Sequence, residues 1–150
     1  MWKAPEIFIS NDSQNPKITF MQYSIYPKTG EKISRLGYGA MGLGGAFGEF
    51  DEQEGVRSVL LYLEKGGNFI DTARHYGQSE EIIGKAIRQW TGKPPFIATK
   101  IQSHGPDNTR WCIPPAPETV FPKRLIRENT ETSLRLFNVD SIDLMQLHAA

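Results

Sequence analysis

Apolar residues recur along this chain with two different periods. Val56, Val59, Leu60 and Leu63 stand at i, i+3, i+4 and i+7, the spacing of one helical face. Asp51 followed by Glu54 supplies a start signal for that helix, and Gly66-Gly67 a stop. Ile83, Ala86, Ile87 and Trp90 repeat the spacing in a second helix, with Ser79 as its expected cap and Gly92 and Pro94 beyond its end. A third helix is predicted over 123–137, with Ile126, Leu134 and Phe137 on one side. Between the helices lie apolar runs of strand length: Leu36 to Met41, Asn68 to Asp71, Phe96 to Ile101 and Ile142 to His148. Upstream, Tyr23 to Tyr26 and Ile33 to Leu36 bracket a turn containing Gly30 and read as a hairpin. The glycine-rich stretch 42–48 is expected to be irregular, and a Pro-rich connection is expected from Gln102 to about Pro122. Hairpin, then strand and helix in alternation, calls for a parallel sheet with right-handed crossovers.

Three of these strands carry a polar residue at or next to their end, Asp71, Lys100 and His148, and Tyr76 follows the first by five positions. Alternate residues of a strand share a face. Phe69 and Asp71 form one set, Ala98 and Lys100 a second, and Leu144, Gln146 and His148 a third. Pointing these sets inward leaves Ile70, Ile97, Thr99, Met145 and Leu147 to meet the helices, a mostly apolar face as helix cover requires. The polar ends then converge at the C-terminal mouth of the sheet, where α/β folds bind ligands. A phenol is a poor acid at neutral pH, but a neighbouring ammonium favours its ionised form. A carboxylate balances the ammonium, and a histidine hydrogen-bonds a carbonyl oxygen. Such a group protonates a carbonyl as hydride reaches its carbon, or runs in reverse on an alcohol. None of these side chains carries hydride, so a nicotinamide cofactor is required.

Composition narrows the setting. A chain of 150 residues, 39% hydrophobic, fits one domain with a core. Its 17 basic and 17 acidic residues cancel, giving no electrostatic reason for a nucleic acid or membrane partner. Its apolar runs reach about five or six residues, far short of the roughly 20 of a membrane span. Lone Cys112 excludes an internal disulfide and suits a reducing cytoplasm, and it has no partner at metal-ligand spacing. Met1 to Phe20 lacks the layout of a signal peptide and reads as an irregular extension. The glycines from Gly37 to Gly48 lack a Walker lysine and a Rossmann acidic position. His75 and His104 read as loop residues, and Glu80-Glu81 as acids favoured in a helix's first turn.

Four ordered strings carry a resemblance to a known family: Leu36-Gly37-Tyr38-Gly39-Ala40-Met41-Gly42-Leu43-Gly44; Phe69-Ile70-Asp71-Thr72-Ala73 with Tyr76-Gly77 and Ser79-Glu80-Glu81; Ile97-Ala98-Thr99-Lys100; and Ile142 to His148. From about Met21 to His148 the chain resembles the aldo-keto reductases. The resemblance implies an α/β fold, the first half of a (β/α)8 TIM barrel with an N-terminal β-hairpin, carried by residues 21–150. It implies an NAD(P)H-dependent oxidoreductase interconverting a small carbonyl compound and its alcohol, with NADP as cofactor and NAD as the alternative. Tyr76 is then the proton donor, Lys100 the cation that favours its ionisation, Asp71 the partner of Lys100, and His148 the group that orients the substrate carbonyl. Gly39, Ala40 and Met41 match the loop beside the nicotinamide ribose, with Asp71 close by. Ala40 stands where the family often carries threonine.

A complete (β/α)8 barrel takes roughly 250 residues. The chain supplies the first four strands and is expected to be a piece of a longer barrel, without turnover on its own. The alternatives are a non-catalytic half-barrel, stabilised through its open edges, and a cofactor-binding, redox-sensing module of the kind found among channel subunits.

Overall fold

Helix α1 (Glu52–Glu64) begins where Asp51 accepts a hydrogen bond from the Glu54 backbone N–H at 2.9 Å. That contact satisfies one of the orphan donors of the first turn. The helix buries Val56, Val59 and Leu63, is capped by Lys65, and the chain turns away through Gly66, whose φ of 85° no β-carbon would favour. The structure is a computed structural model that describes residues 8–9 and 18–19 by backbone, and 21–49, 51–102 and 121–148 in full. Most of the predicted Pro-rich connection, with His104 and Cys112, lies outside the described residues.

Within the expected N-terminal extension, strands β1 (Phe8–Ile9) and β2 (Ile18–Thr19) form a short antiparallel pair. The hairpin follows as β3 (Tyr23–Ile25) and β4 (Lys32–Ser34), antiparallel with Tyr23 opposite Ser34. The main sheet holds β5 (Tyr38–Gly39), β6 (Phe69–Asp71), β7 (Phe96–Ile101) and β8 (Leu144–Leu147), all parallel and in chain order. Helices α1, α2 (Ser79–Gln89) and α3 (Lys123–Phe137) cross from one strand to the next. This is half of a (β/α)8 barrel, as expected from the sequence.

Register confirms the two faces. Gly39 pairs with Asp71, Asp71 with Ala98, and Lys100 with Gln146, so these residues share the inner side. Ile70 and Ile97 pack outward with Val59, Leu63, Ile82, Ile83, Ala86 and Phe137 in the helix-side core. Ile101 and Met145 pack with Ile126 in a smaller cluster. Leu147 departs from the expected pattern and stays 45% exposed. At the lower end of the inner face the hairpin's Tyr26 ring sits 5.2 Å from Phe96, which lies 5.6 Å from Phe69.

Three local details differ from the sequence reading. The strand expected over 36–41 is only two residues long, because Ala40 starts a 3-10 helix (Ala40–Gly44) in the stretch expected to be irregular. That turn drops Ala40 and Leu43 into the core, which compensates for leaving the sheet. Asn68 and Asp143 stand outside their strands, where their side chains take over backbone bonding. The Asn68 amide oxygen accepts from Ser34 N–H and its amide nitrogen donates to Lys32 O, tying hairpin to sheet. Asp143 accepts from Ile97 N–H at 2.7 Å.

Candidate active site

The loop after β6 is pinned to the sheet before it reaches Tyr76. Thr72 N–H donates to Ala98 O at 2.9 Å and Arg74 N–H to Lys100 O at 3.2 Å. Tyr76 N–H then closes a turn onto Ala73 O at 3.0 Å. The turn abuts the 3-10 helix so closely that a β-carbon on Gly44 would lie 2.3 Å from Tyr76 O, and only glycine fits there. Ser79 adds a second tie. The sequence marked it as the cap of α2, but it is the first helical residue, behind Gln78, and caps nothing. Its buried hydroxyl donates instead to Ala40 O at 2.9 Å, and the Thr72 hydroxyl lies 2.8 Å from it. The 3-10 helix and the Tyr76 loop are thus one assembly.

Lys100 reaches the same rim from the end of β7. Its ammonium donates to both Asp71 oxygens, at 2.9 and 2.8 Å, and to Thr72 O at 2.8 Å. Three protons meet three acceptors. The ammonium also lies 5.3 Å from the centre of the Tyr76 ring. His148, just past β8, donates its backbone N–H to Ile101 O at 3.1 Å. Its ring stands edge-on to Tyr76 at 5.5 Å, with His75 at 6.0 Å on another side. Burial, then the Lys100 ammonium and His75, push the His148 imidazole below its ordinary value, with Asp71 opposing. A neutral imidazole offers one donor and one acceptor.

All four candidate side chains from the sequence therefore meet at one rim. Of the candidate cofactor residues, Gly39 sits beside Asp71 in register, and an added β-carbon would meet nothing within 4 Å. Met41 is 40% exposed, while Ala40 is sunk in the core and holds the loop down. A cleft of ≈ 400 Å³ opens at the other end of the sheet, among Lys32, Asn68, Pro94, Phe96 and Asp143, away from the rim.

One residue at this site escaped the sequence reading. Glu80 does lie in the first turn of α2, as expected, but it is also 1% exposed and bonded to Arg74, Thr99 and Ser133. The sequence signal was its place in the second string of the resemblance, between Ser79 and Glu81.

Residues 35–150 match the aldo/keto reductase family. The chain belongs to that family. An aldo-keto reductase of Bacillus subtilis, YhdN, is 35% identical over 132 residues, covering 85% of this chain and 38% of that protein. A probable voltage-gated potassium channel subunit beta of Arabidopsis thaliana is 33% identical over 132 residues, 85% of this chain and 37% of its own length. Among solved structures, a thermostable aldo-keto reductase in complex with the inhibitor epalrestat superposes with a TM-score of 0.67 at 29% identity, covering 85% of this chain and 43% of that one. The chain thus spans under two fifths of the two curated relatives' lengths. Among the described residues of this aldo/keto reductase chain, no helix is long and apolar enough to cross a membrane.

Proposed function

We propose that this aldo/keto reductase chain carries the proton-transfer half of an oxidoreductase that interconverts a small carbonyl compound and its alcohol with NADP, NAD being the alternative. The observation that supports it most is the Lys100 ammonium, held by both oxygens of Asp71 within 5.3 Å of the Tyr76 ring centre. A nicotinamide cofactor, when bound, supplies or accepts the hydride. Gly39 fits such a group, since the missing side chain leaves the inner end of β5 open beside Asp71 and Lys100. Met41 lies on the same loop, and Ala40 anchors it.

In reduction, Tyr76 Oη gives its proton to the carbonyl oxygen, and the Lys100 field stabilises the phenolate left behind. The Lys100 side chain is only 15% exposed, so less water screens that field than at an open surface. Asp71 keeps the ammonium in place through both of its oxygens. The neutral His148 ring donates to the same carbonyl oxygen and sets its angle. In oxidation the proton returns along the same path. Lone Cys112 and the zero net charge accord with a small-molecule enzyme of the cytoplasm.

The channel-subunit relative favours a second reading, in which the same rim senses cofactor redox state without steady turnover. Grafting the chain in place of the matching part of YhdN decides between them. The first reading expects NADPH oxidation that depends on an added aldehyde or ketone. A folded graft that binds NADPH and reduces no carbonyl compound supports the second.

A further inference from the structure

Glu80 is the one buried carboxylate among the described residues. Its Oε1 accepts from Thr99 Oγ1 at 2.7 Å and Ser133 Oγ at 2.8 Å, and its Oε2 takes Arg74 Nη1 at 2.5 Å. The three partners belong to β7, α3 and the loop after β6. Thr99 directly precedes Lys100, and Arg74 stands two residues before Tyr76. Arg74 also donates its backbone N–H to Lys100 O, so the guanidinium and the strand hold one residue from both sides. Burying an ion pair is costly, and apolar residues of the same volume often stabilise a fold at least as well. What the pair provides here is a fixed relation between a loop and a strand.

We propose that Glu80, through Arg74 and Thr99, is a positioning residue that sets Tyr76 against Lys100. The inference rests on the reading of those two residues as the proton-transfer pair. Its physical content is local: one carboxylate, anchored by α3 through Ser133, holds the loop before Tyr76 and the strand before Lys100 at once. Releasing the charge lets the loop swing while the core of α1 stays closed.

The test is residue-resolved amide hydrogen exchange on the chain Met1–Ala150 and its Glu80→Gln variant. Glutamine keeps the volume and an acceptor for Thr99 and Ser133 while losing the charge that holds Arg74. The expected result is exchange at Arg74 and Tyr76 faster by about tenfold or more, with Val59 and Leu63 unchanged. Unchanged exchange at Arg74 and Tyr76 overturns the proposal, and so does an equal acceleration in α1, which marks a general structural role. If Glu80→Gln does not fold, the double variant Arg74→Met with Glu80→Gln leaves no unpaired ion in the interior. Loosening confined to positions 74 and 76 then supports positioning, while wild-type protection there shows that charge balance alone mattered. The readout needs no turnover, so its failure leaves the role of Tyr76 itself to the graft assay.

Discussion

Replacing Gly44 with alanine drives a methyl group into the backbone that carries Tyr76. The added carbon would lie 2.3 Å from Tyr76 O and 2.5 Å from its carbonyl carbon. Ordinary contact for such atoms is about 3.5 Å, so the two loops must part by about 1 Å. Both obstructing atoms are main chain, and no rotamer change removes them. Gly77 restricts the escape route, since its φ of 49° already places it in the left-handed region against Gly44 O. Alanine's better helix propensity offsets up to about 1 kcal/mol of the clash. Overpacking typically costs ~1–3 kcal/mol, so after the full offset the net loss reaches about 2 kcal/mol, a melting point lower by up to about 8 °C in a domain of this size. In the YhdN graft the effect is larger, because a displacement of about 1 Å at a reacting group can cost ~100-fold in rate. Gly39→Ala is the control: its φ of −82° and ψ of 110° suit alanine, and its β-carbon meets nothing within 4 Å. That variant is expected to melt no lower than wild type and to gain up to ~1 kcal/mol. Thermal melts of the three proteins side by side decide the matter. Gly44→Ala melting at or above wild type would refute the argument that this contact clamps the loops together.

Further outcomes follow from the same geometry. The His148 value is lowered in the folded chain, so its share of stability is present above its ordinary 6.5 and lost as pH falls through the lowered value. Urea midpoints from about pH 7.5 to 5 therefore drop further for wild type than for His148→Gln, and parallel profiles would contradict the assigned environment. Gly84→Ala places a carbon 1.9 Å from Leu136 O, forcing α2 and α3 apart, and is expected to lower the urea midpoint more than Gly44→Ala does. Purified Met1–Ala150 titrated with NADPH is expected to show no steady aldehyde-dependent oxidation, because among the described residues the four-stranded sheet has unpaired edges at β5 and β8 that leave the rim accessible to water. Sustained turnover lost on Tyr76→Phe would show instead that the half-barrel is an enzyme by itself.

The fold was legible because its signals are local and periodic. Val56, Val59 and Leu63 fall on one helical face wherever the helix packs, and the alternation of Phe69, Ile70 and Asp71 assigns faces before any partner strand is known. The polar strand ends followed from the same alternation. The cap reading of Ser79 failed and the burial of Glu80 went unseen for one shared reason. A serine and an acid at a helix start have a local use, and local patterns cannot show that a hydroxyl reaches Ala40, 39 residues away, or that a carboxylate reaches Ser133, 53 residues away. The 3-10 turn at Ala40 was hidden likewise. Its glycines signalled a break from the sheet, while burial of Ala40 and Leu43 depends on helices that arrive later in the chain. Asn68 and Asp143 were taken as strand residues because side chains that stand in for backbone bonds leave no periodic trace.

The central claim is that Tyr76 acts on the substrate proton and on nothing else. The most direct measurement compares the YhdN graft with its Tyr76→Phe variant, reading kcat for aldehyde reduction alongside NADPH affinity from fluorescence titration. Removing a positioned proton donor is expected to lower kcat by about 10²–10⁴-fold while leaving NADPH affinity within about twofold. A variant that keeps its kcat, or that loses activity only through weaker NADPH binding, contradicts the account.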